Sequence, residues 1–288
     1  MTQLLHIRSL SFEEMPIPLA WAKQEGWNPG LSDALPFWNA DPTGFIGGFI
    51  DDRLVACISA IRYGTQFGFM GFYIVDAPYR GQGYGLQVWQ AALDHLEGTA
   101  CIGLDGVVAQ QDNYRKSGFV YAHRNVRFEG RLPFSQIAAP LPIEERLVPL
   151  AEIPSHLLSD FDDRHFPTPR PLFLESWLQQ PGHVGLAIMR GHEVCAYGLI
   201  RPCAVGYKIG PLFAERLDQA HNLILALCQN LEKGSPAYLD PPATNAAAIQ
   251  LAADLNMTMV FETARMYHGP PPQLPVRRIF GITTFELG

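Results

Sequence analysis

Charge is scarce in this 288-residue chain: Asp, Glu, Lys and Arg make up 17% of it, and 21 basic residues face 28 acidic ones. A net charge of −7 leaves no basic excess to meet a phosphate backbone, which argues against nucleic acid as a partner. No apolar run approaches the roughly 20 residues of a membrane-spanning helix, and residues 1–8 hold no signal-peptide core. Cysteine is sparse as well. Cys57, Cys101, Cys195, Cys203 and Cys228 show neither Cys-x-x-Cys nor metal-ligand spacing, so they read as reduced core residues of a cytoplasmic protein. The histidines, including His165 in Asp162-Asp163-Arg164-His165, show no paired ligand spacing, and no metal is expected. What is left, at 48% hydrophobic residues, is an ordinary globular chain long enough for two domains.

One stretch organises the rest: Val75-Asp76-Ala77-Pro78-Tyr79-Arg80-Gly81-Gln82-Gly83-Tyr84-Gly85. The aromatic and β-branched run over 67–75 reads as a strand, and Pro78 blocks further pairing. Beyond the stretch, Leu86, Trp89, Leu93 and Leu96 form one helical stripe, with Gln87, Gln90, Asp94 and Glu97 off it. Three alternating glycines let the loop curl with no Cβ between its amides and a ligand. The helix start adds unpaired N–H groups and partial positive charge. Strand, glycine loop and helix N-terminus together suit an anion, most of all a pyrophosphate. No Gly-Lys-Ser/Thr follows, so this is not a Walker loop, and the glycine order is not that of dinucleotide binders. Arg80 with Gly83 and Gly85 gives Arg-x-x-Gly-x-Gly, which resembles motif A of the GNAT superfamily of N-acetyltransferases, the loop that grips the pyrophosphate of coenzyme A.

In chain order, residues 4–10 read as a strand and 13–24 as a helix complicated by Pro16 and Pro18. A turn cluster at 26–30 and a short helix with Phe37-Trp38 precede a hairpin, 44–50 and 54–62, with Asp51-Asp52 at its turn. Residues 101–105 form a buried strand, 110–117 a helix stopped by Gly118, and 119–129 a closing strand. The proline-bearing segment 131–150 reads as a linker.

The same order then returns. Glu152-Ile153-Pro154 answers Glu14-Met15-Pro16, and Trp177 answers Trp38. Residues 184–201 answer the hairpin, with Arg201 matched to Arg62 by their nine-residue distance from Gly210 and Gly71. Leu239-Asp240 answers Leu104-Asp105, and Arg265 answers Arg127. Such self-similarity marks two copies of one fold. The second copy has no glycine loop. It is shorter there, with 24 steps from Glu215 to Leu239 against 28 from Asp76 to Leu104, and it sets Asp218 where a pyrophosphate would lie. The expectation is an α/β chain of two tandem GNAT-like domains, each a mixed central sheet flanked by helices. Residues 1–135 carry the acetyl-CoA site and 136–288 a degenerate copy. This tandem order is similar to the bacterial YitH-type acetyltransferases.

The resemblance implies coenzyme A in a splay between strands 67–75 and 101–105. Backbone groups of Tyr73, Ile74 and Val75 would bond the pantetheine and polarise the thioester. Arg80, Gly81, Gln82, Gly83, Tyr84 and Gly85 would hold the pyrophosphate. Tyr114 stands four before Gly118-Phe119, matching the family's Tyr-x-x-x-Gly-Phe, whose tyrosine is the general acid. A phenol with an unperturbed pKa of about 10 can donate to a thiolate. Where the family often has asparagine, this chain has Val107, leaving Asn113 or Gln110 to replace that contact. No glutamate lies on strand 67–75, so the base is open among Asp105, Tyr73 and a water chain. Asp105 reads equally as a cap, as Asp240 at the matching position suggests. Trp27, Asn28, Asp33, Trp38 and Asp41 would frame the acceptor amine, unless the tryptophans only pack helices onto the sheet. The implied activity is transfer of acetyl from acetyl-CoA to a small-molecule or peptide amine by direct attack. The alternative is a non-catalytic acyl-CoA-binding or sensing protein. The second half is expected to wall the acceptor site or to serve as structural support, not as a second enzyme, with residues 160–170 reaching across.

Overall fold

Asp51 and Asp52 take positive φ, 47° and 62°, as a two-residue hairpin turn requires, and join β2 (Phe45–Ile50) to β3 (Arg53–Tyr63). The computed structural model describes residues 4–288; residues 1–3 lie outside the described residues. β1 (His6–Ser9) pairs with β2. Helix α1 (Pro16–Gln24) begins at Pro16, later than the sequence pattern implies, because proline is tolerated only in a first turn; residues 12–14 form a 3-10 turn instead. Then come α2 (Ala34–Ala40), β4 (Phe67–Val75), α3 (Tyr84–His95), β5 (Cys101–Val107), α4 (Gln111–Lys116) and β6 (Val120–Arg131). The second half repeats this with β7 (Glu145–Pro149), α5 (Ser155–Asp162), α6 (Pro171–Trp177), β8 (Val184–Arg190), β9 (Glu193–Pro202), β10 (Tyr207–Ala214), α7 (Leu217–Cys228), β11 (Pro236–Leu239), α8 (Ala246–Asp254) and β12 (Thr258–His268). A short β13 (Ile279–Gly281) follows. The expected linker thus contains a strand, β7, paired along its length with β8.

All strands join one sheet in the order β1-β2-β3-β4-β5-β12-β6-β11-β10-β9-β8-β7, with β13 on β10. The halves exchange their closing strands: β12 pairs with β5, and β6 pairs with β11. The repeat holds in the ladders, where Met70 faces Leu104 and Ile209 faces Leu239. Its hairpin match is off by one residue. Three residues separate Tyr63 from its partner Phe67, but four separate Pro202 from Tyr207, so Ile61 rather than Arg62 is the counterpart of Arg201.

The core is shared. Phe37 on α2 stacks on Trp177 of α6 at 6.1 Å, and Phe166 packs edge-on to Tyr63 and Phe67. Residues 160–170 therefore do reach across, but into the core rather than to a cleft. On α3 the buried stripe is Tyr84, Val88, Trp89 and Ala92, continued by Leu96, while Leu86 is 69% exposed. The helix is rotated from the expected stripe because Gly85, not Leu86, faces β4. No described helix is long and apolar enough to cross a membrane.

Candidate active site

β4 carries one residue more than β3 between the pairs Gly71–Ser59 and Ile74–Cys57. At this bulge Phe72 has φ 45°, uncommon for a bulky residue, and its ring is held by Phe37 and Phe45. A bulge bends its strand. β4 and β5 pair only from Phe67–Cys101 to Met70–Leu104 and then part. The gap is a cleft of about 480 Å³. Gly71, Tyr73, Ile74 and Val75 line it from β4, and Leu104, Asp105, Gly106 and Val107 from β5. Past Met70, β4 has no strand partner on this side among the described residues, so its backbone there, apart from the Val75 carbonyl, is free to bond a ligand.

The three glycines serve two purposes. Gly81 (φ 77°) and Gly83 (φ 84°) adopt a conformation that glycine favours, and no heavy atom lies within 4 Å of where their Cβ atoms would stand. Gly83 caps α3 without any side-chain bond to the helix amides. Gly85 instead allows close packing, since its Cβ would lie 2.7 Å from the Tyr73 hydroxyl. Arg80 lines the cleft; its Nε donates to the Val75 carbonyl at 2.9 Å and its Nη2 pairs with Glu25. Gln82 is exposed and donates to the Pro78 carbonyl. The Tyr84 side chain is buried in the core, so only its backbone is left for a ligand. A loop with two Cβ-free amides before an uncapped helix start fits the pyrophosphate of coenzyme A.

Tyr114 lines the cleft, buried and stacked on Trp89 at 5.4 Å. A Cβ at Gly106 would come within 2.1 Å of its ring, so glycine there seats it. Burial, and secondarily Tyr73, pushes the Tyr114 phenol up, which keeps it protonated. Burial raises Tyr73 too. Gln110 lines the cleft, whereas Asn113 is exposed beside it and donates to Gln110 Oε1 at 2.7 Å.

Several expected site residues have other work. The Asp105 carboxylate, its side chain fully buried, accepts from Arg265 Nε at 2.9 Å and Nη2 at 2.6 Å, and from Asn125 at 2.8 Å. A carboxylate so engaged is an ion-pair partner rather than a free base. Asp240 is its twin, held by Arg127 at 2.8 and 2.7 Å. Each aspartate is thus paired with the arginine of the other half's closing strand. Asp33 is buried against Arg201 at 2.8 Å and joins the halves. Asn28, with φ 55°, exchanges hydrogen bonds with Val205 across the same seam. Asp41 accepts from Thr43, the Arg62 amide and His95 Nε2; burial raises its carboxyl, but these bonds outweigh that and hold it low. Trp38 packs edge-on to Phe12, away from the cleft. Of this set Trp27 alone lines the cleft, and its carbonyl accepts from Arg127 and Lys208.

The second half does wall the cleft, through residues that sequence reasoning did not name: Phe261 and Thr263 on β12, and Phe285 and Glu286 in the buried tail after β13. The tail's one signal was a lone acid in an otherwise uncharged run. Among the described residues, no group of three or more His, Cys, Asp or Glu is placed to hold a metal.

Residues 4–119 match the Acetyltransferase (GNAT) family, and residues 158–281 an Acetyltransferase (GNAT) domain. The chain is 32% identical over 278 residues to a holothin acyltransferase of Pseudoalteromonas sp. (strain SANK 73390), covering 96% of this chain and 92% of that one. Among solved structures, a Pyrococcus horikoshii protein assigned as an acetyltransferase superposes with a TM-score of 0.82 at 22% identity, covering 99% and 96% of the two chains. A tandem GNAT protein of the clavulanic acid biosynthesis pathway gives 0.65 at 12% identity, covering 93% and 100%.

Proposed function

Since the chain belongs to the GNAT superfamily and is a tandem GNAT acyltransferase, we propose that its first half moves an acetyl group from acetyl-CoA to the amine of a small molecule by direct attack. The observation that carries this reading is the open splay of β4 from β5, with the uncapped start of α3 beside it. Acetyl-CoA supplies an acyl group activated as a thioester. The amides of Gly81, Gly83 and Tyr84 would hold the pyrophosphate, assisted by the Arg80 charge. The free edge of β4 at Tyr73, Ile74 and Val75 would bond the pantetheine and polarise the carbonyl. Tyr114 donates a proton to the departing sulfur.

The binding-only alternative is set aside, because the full-length relative is named for acyl transfer. That name makes holothin the first acceptor to try. Release of free thiol from acetyl-CoA, followed with a panel of amines, tests the reading, together with calorimetry of coenzyme A. The expected result is amine-dependent thiol release and one binding site per chain. Absence of release with every amine, or two equivalent sites, would refute it.

A further inference from the structure

Among the described residues, two buried polar side chains that line the cleft have no hydrogen-bond partner: Glu286, through both carboxyl oxygens, and Thr263, through its hydroxyl. An unsatisfied buried polar group costs about 1–3 kcal/mol, more if charged, so native chains keep one where something else completes it. Glu286 is 3% exposed. Its ion-pair partner Lys208 lies 3.8 Å from Oε1, beyond hydrogen-bond reach, and donates instead to the Trp27 carbonyl at 3.1 Å. The backbone around Glu286 is fixed. Thr284 Oγ1 accepts from the amides of Glu286 and Leu287 at 3.1 and 2.9 Å. The Glu286 carbonyl stands 2.2 Å from where a Cβ of Gly71 would be, so the tail presses directly on the bulge of β4. Trp27, Phe261 and Phe285 supply apolar walls.

We propose that Glu286 and Thr263 receive the acceptor's nitrogen, that Glu286 is the base that takes its proton, and that the acceptor is a small primary amine whose aromatic or aliphatic body carries no second charge. This rests on the acetyl-transfer reading above. The nitrogen lone pair forms the C–N bond to the acetyl carbon, and the C–S bond breaks with its electron pair on sulfur. The amine proton passes to the Glu286 carboxylate. Tyr114 supplies one proton to sulfur, and the two residues are reset through solvent, so protons balance. Lys208 on β10 and Arg127 on β6 face Glu286; Asp240 holds Arg127, and Arg201, held by Asp33, faces Lys208. The arginines keep their charge at any working pH.

The test uses the full chain with benzylamine, tyramine, holothin, lysine and spermidine. Glu286→Gln should lower kcat/KM for the aromatic amines about 10²–10⁴-fold. Coenzyme A affinity should stay within about twofold, while benzylamine binding to the coenzyme A-saturated protein, which involves no turnover, should weaken about tenfold or more. Glu286→Asp should keep part of the activity. Activity within about threefold of wild type in Glu286→Gln overturns the proposal. So does full activity in Glu286→Gln/Lys208→Met, since Glu286 would then only balance Lys208. If Glu286→Gln fails to melt cooperatively, Glu286→Asp and the double variant decide by the same readouts. Transfer confined to lysine and spermidine refutes the acceptor class and leaves the acetyl-transfer reading intact. Absence of thiol release with every amine refutes that reading, and benzylamine binding still decides Glu286.

Discussion

The two halves diverge where the fourth strand of each bends away from its neighbour. In the first, β4 leaves β5 and a cleft opens. In the second, β10 bends in the same way after Ile209, but β13 lies along it, with Leu212 facing Gly281 and Phe213 facing Ile279. The tail then bonds to the Asp240 carbonyl through the Ile282 amide at 2.9 Å. The helix starts differ in the same sense. Among the described residues no side chain caps α3, whereas a buried carboxylate, Glu145, accepts from Arg190, Arg216 and Gln219 at the start of α7. Tyr114 also has no counterpart. The Phe119 amide bonds its carbonyl as the Met257 amide bonds that of Ala252, so the second half sets alanine there. The shared fold opens a wedge and exposes a helix start in both copies, and the second half fills each with the chain's own atoms. Asp218, expected to repel a phosphate, plays little part; its carboxylate is matched by Arg216 at 3.0 and 2.9 Å.

The comparison can be broken first at its symmetric point. Arg265→Met and Arg127→Met each leave a buried aspartate unpaired, Asp105 or Asp240, and each should cost about 3–5 kcal/mol in urea unfolding. Replacing the aspartate with leucine in the same chain should recover most of the loss. Costs differing by more than about 2 kcal/mol would show that the two pairs are alike in geometry only.

Tyr114→Phe sharpens the difference, because it takes from the first half the hydroxyl that the second lacks. Turnover should fall about 10²–10⁴-fold with coenzyme A affinity unchanged by calorimetry, the Trp89 stack being kept. Unchanged turnover would remove Tyr114 from the mechanism.

The smallest effect belongs to Glu145. Bonds from Arg216 outweigh the opposing pull of burial and, with those from Arg190 and Gln219, hold its carboxyl at about 2, below the usual 4.5. A depressed carboxyl contributes stability that is complete above its unfolded value and fades as pH falls toward the folded one. Glu145→Gln should therefore cost about 1–3 kcal/mol at neutral pH and lessen the acid sensitivity of unfolding between pH 4.5 and about 2. An unchanged pH profile would mean that the filled helix start adds nothing to stability.

The glycine loop and the repeat could be read without coordinates because each rests on local chemistry, a φ requirement and a recurring order, whereas Tyr114 was named only through the resemblance to the family's Tyr-x-x-x-Gly-Phe. The acceptor side could not. Asp33, Asn28 and Asp41 looked available as polar residues in an early segment, yet each is bonded to a residue distant in the chain, Arg201, Val205 and His95 respectively. Trp27 was anticipated, but its neighbours Phe261, Phe285 and Glu286 enter the cleft from more than 200 residues away in the chain.

By itself, then, the sequence determined that a strand, a Cβ-free loop and a helix start would follow one another at 67–95, and that the same unit would recur without the loop. Those features follow from torsional preference and apolar periodicity over a dozen residues at a time. Tertiary structure alone decided that β6 and β12 trade places, that Asp105 is spoken for by Arg265, and that the tail plugs one wedge and walls the other. Strand pairing and burial are settled between segments with no local link, and a carboxylate becomes a base or a strut according to which cation the fold brings within 3 Å.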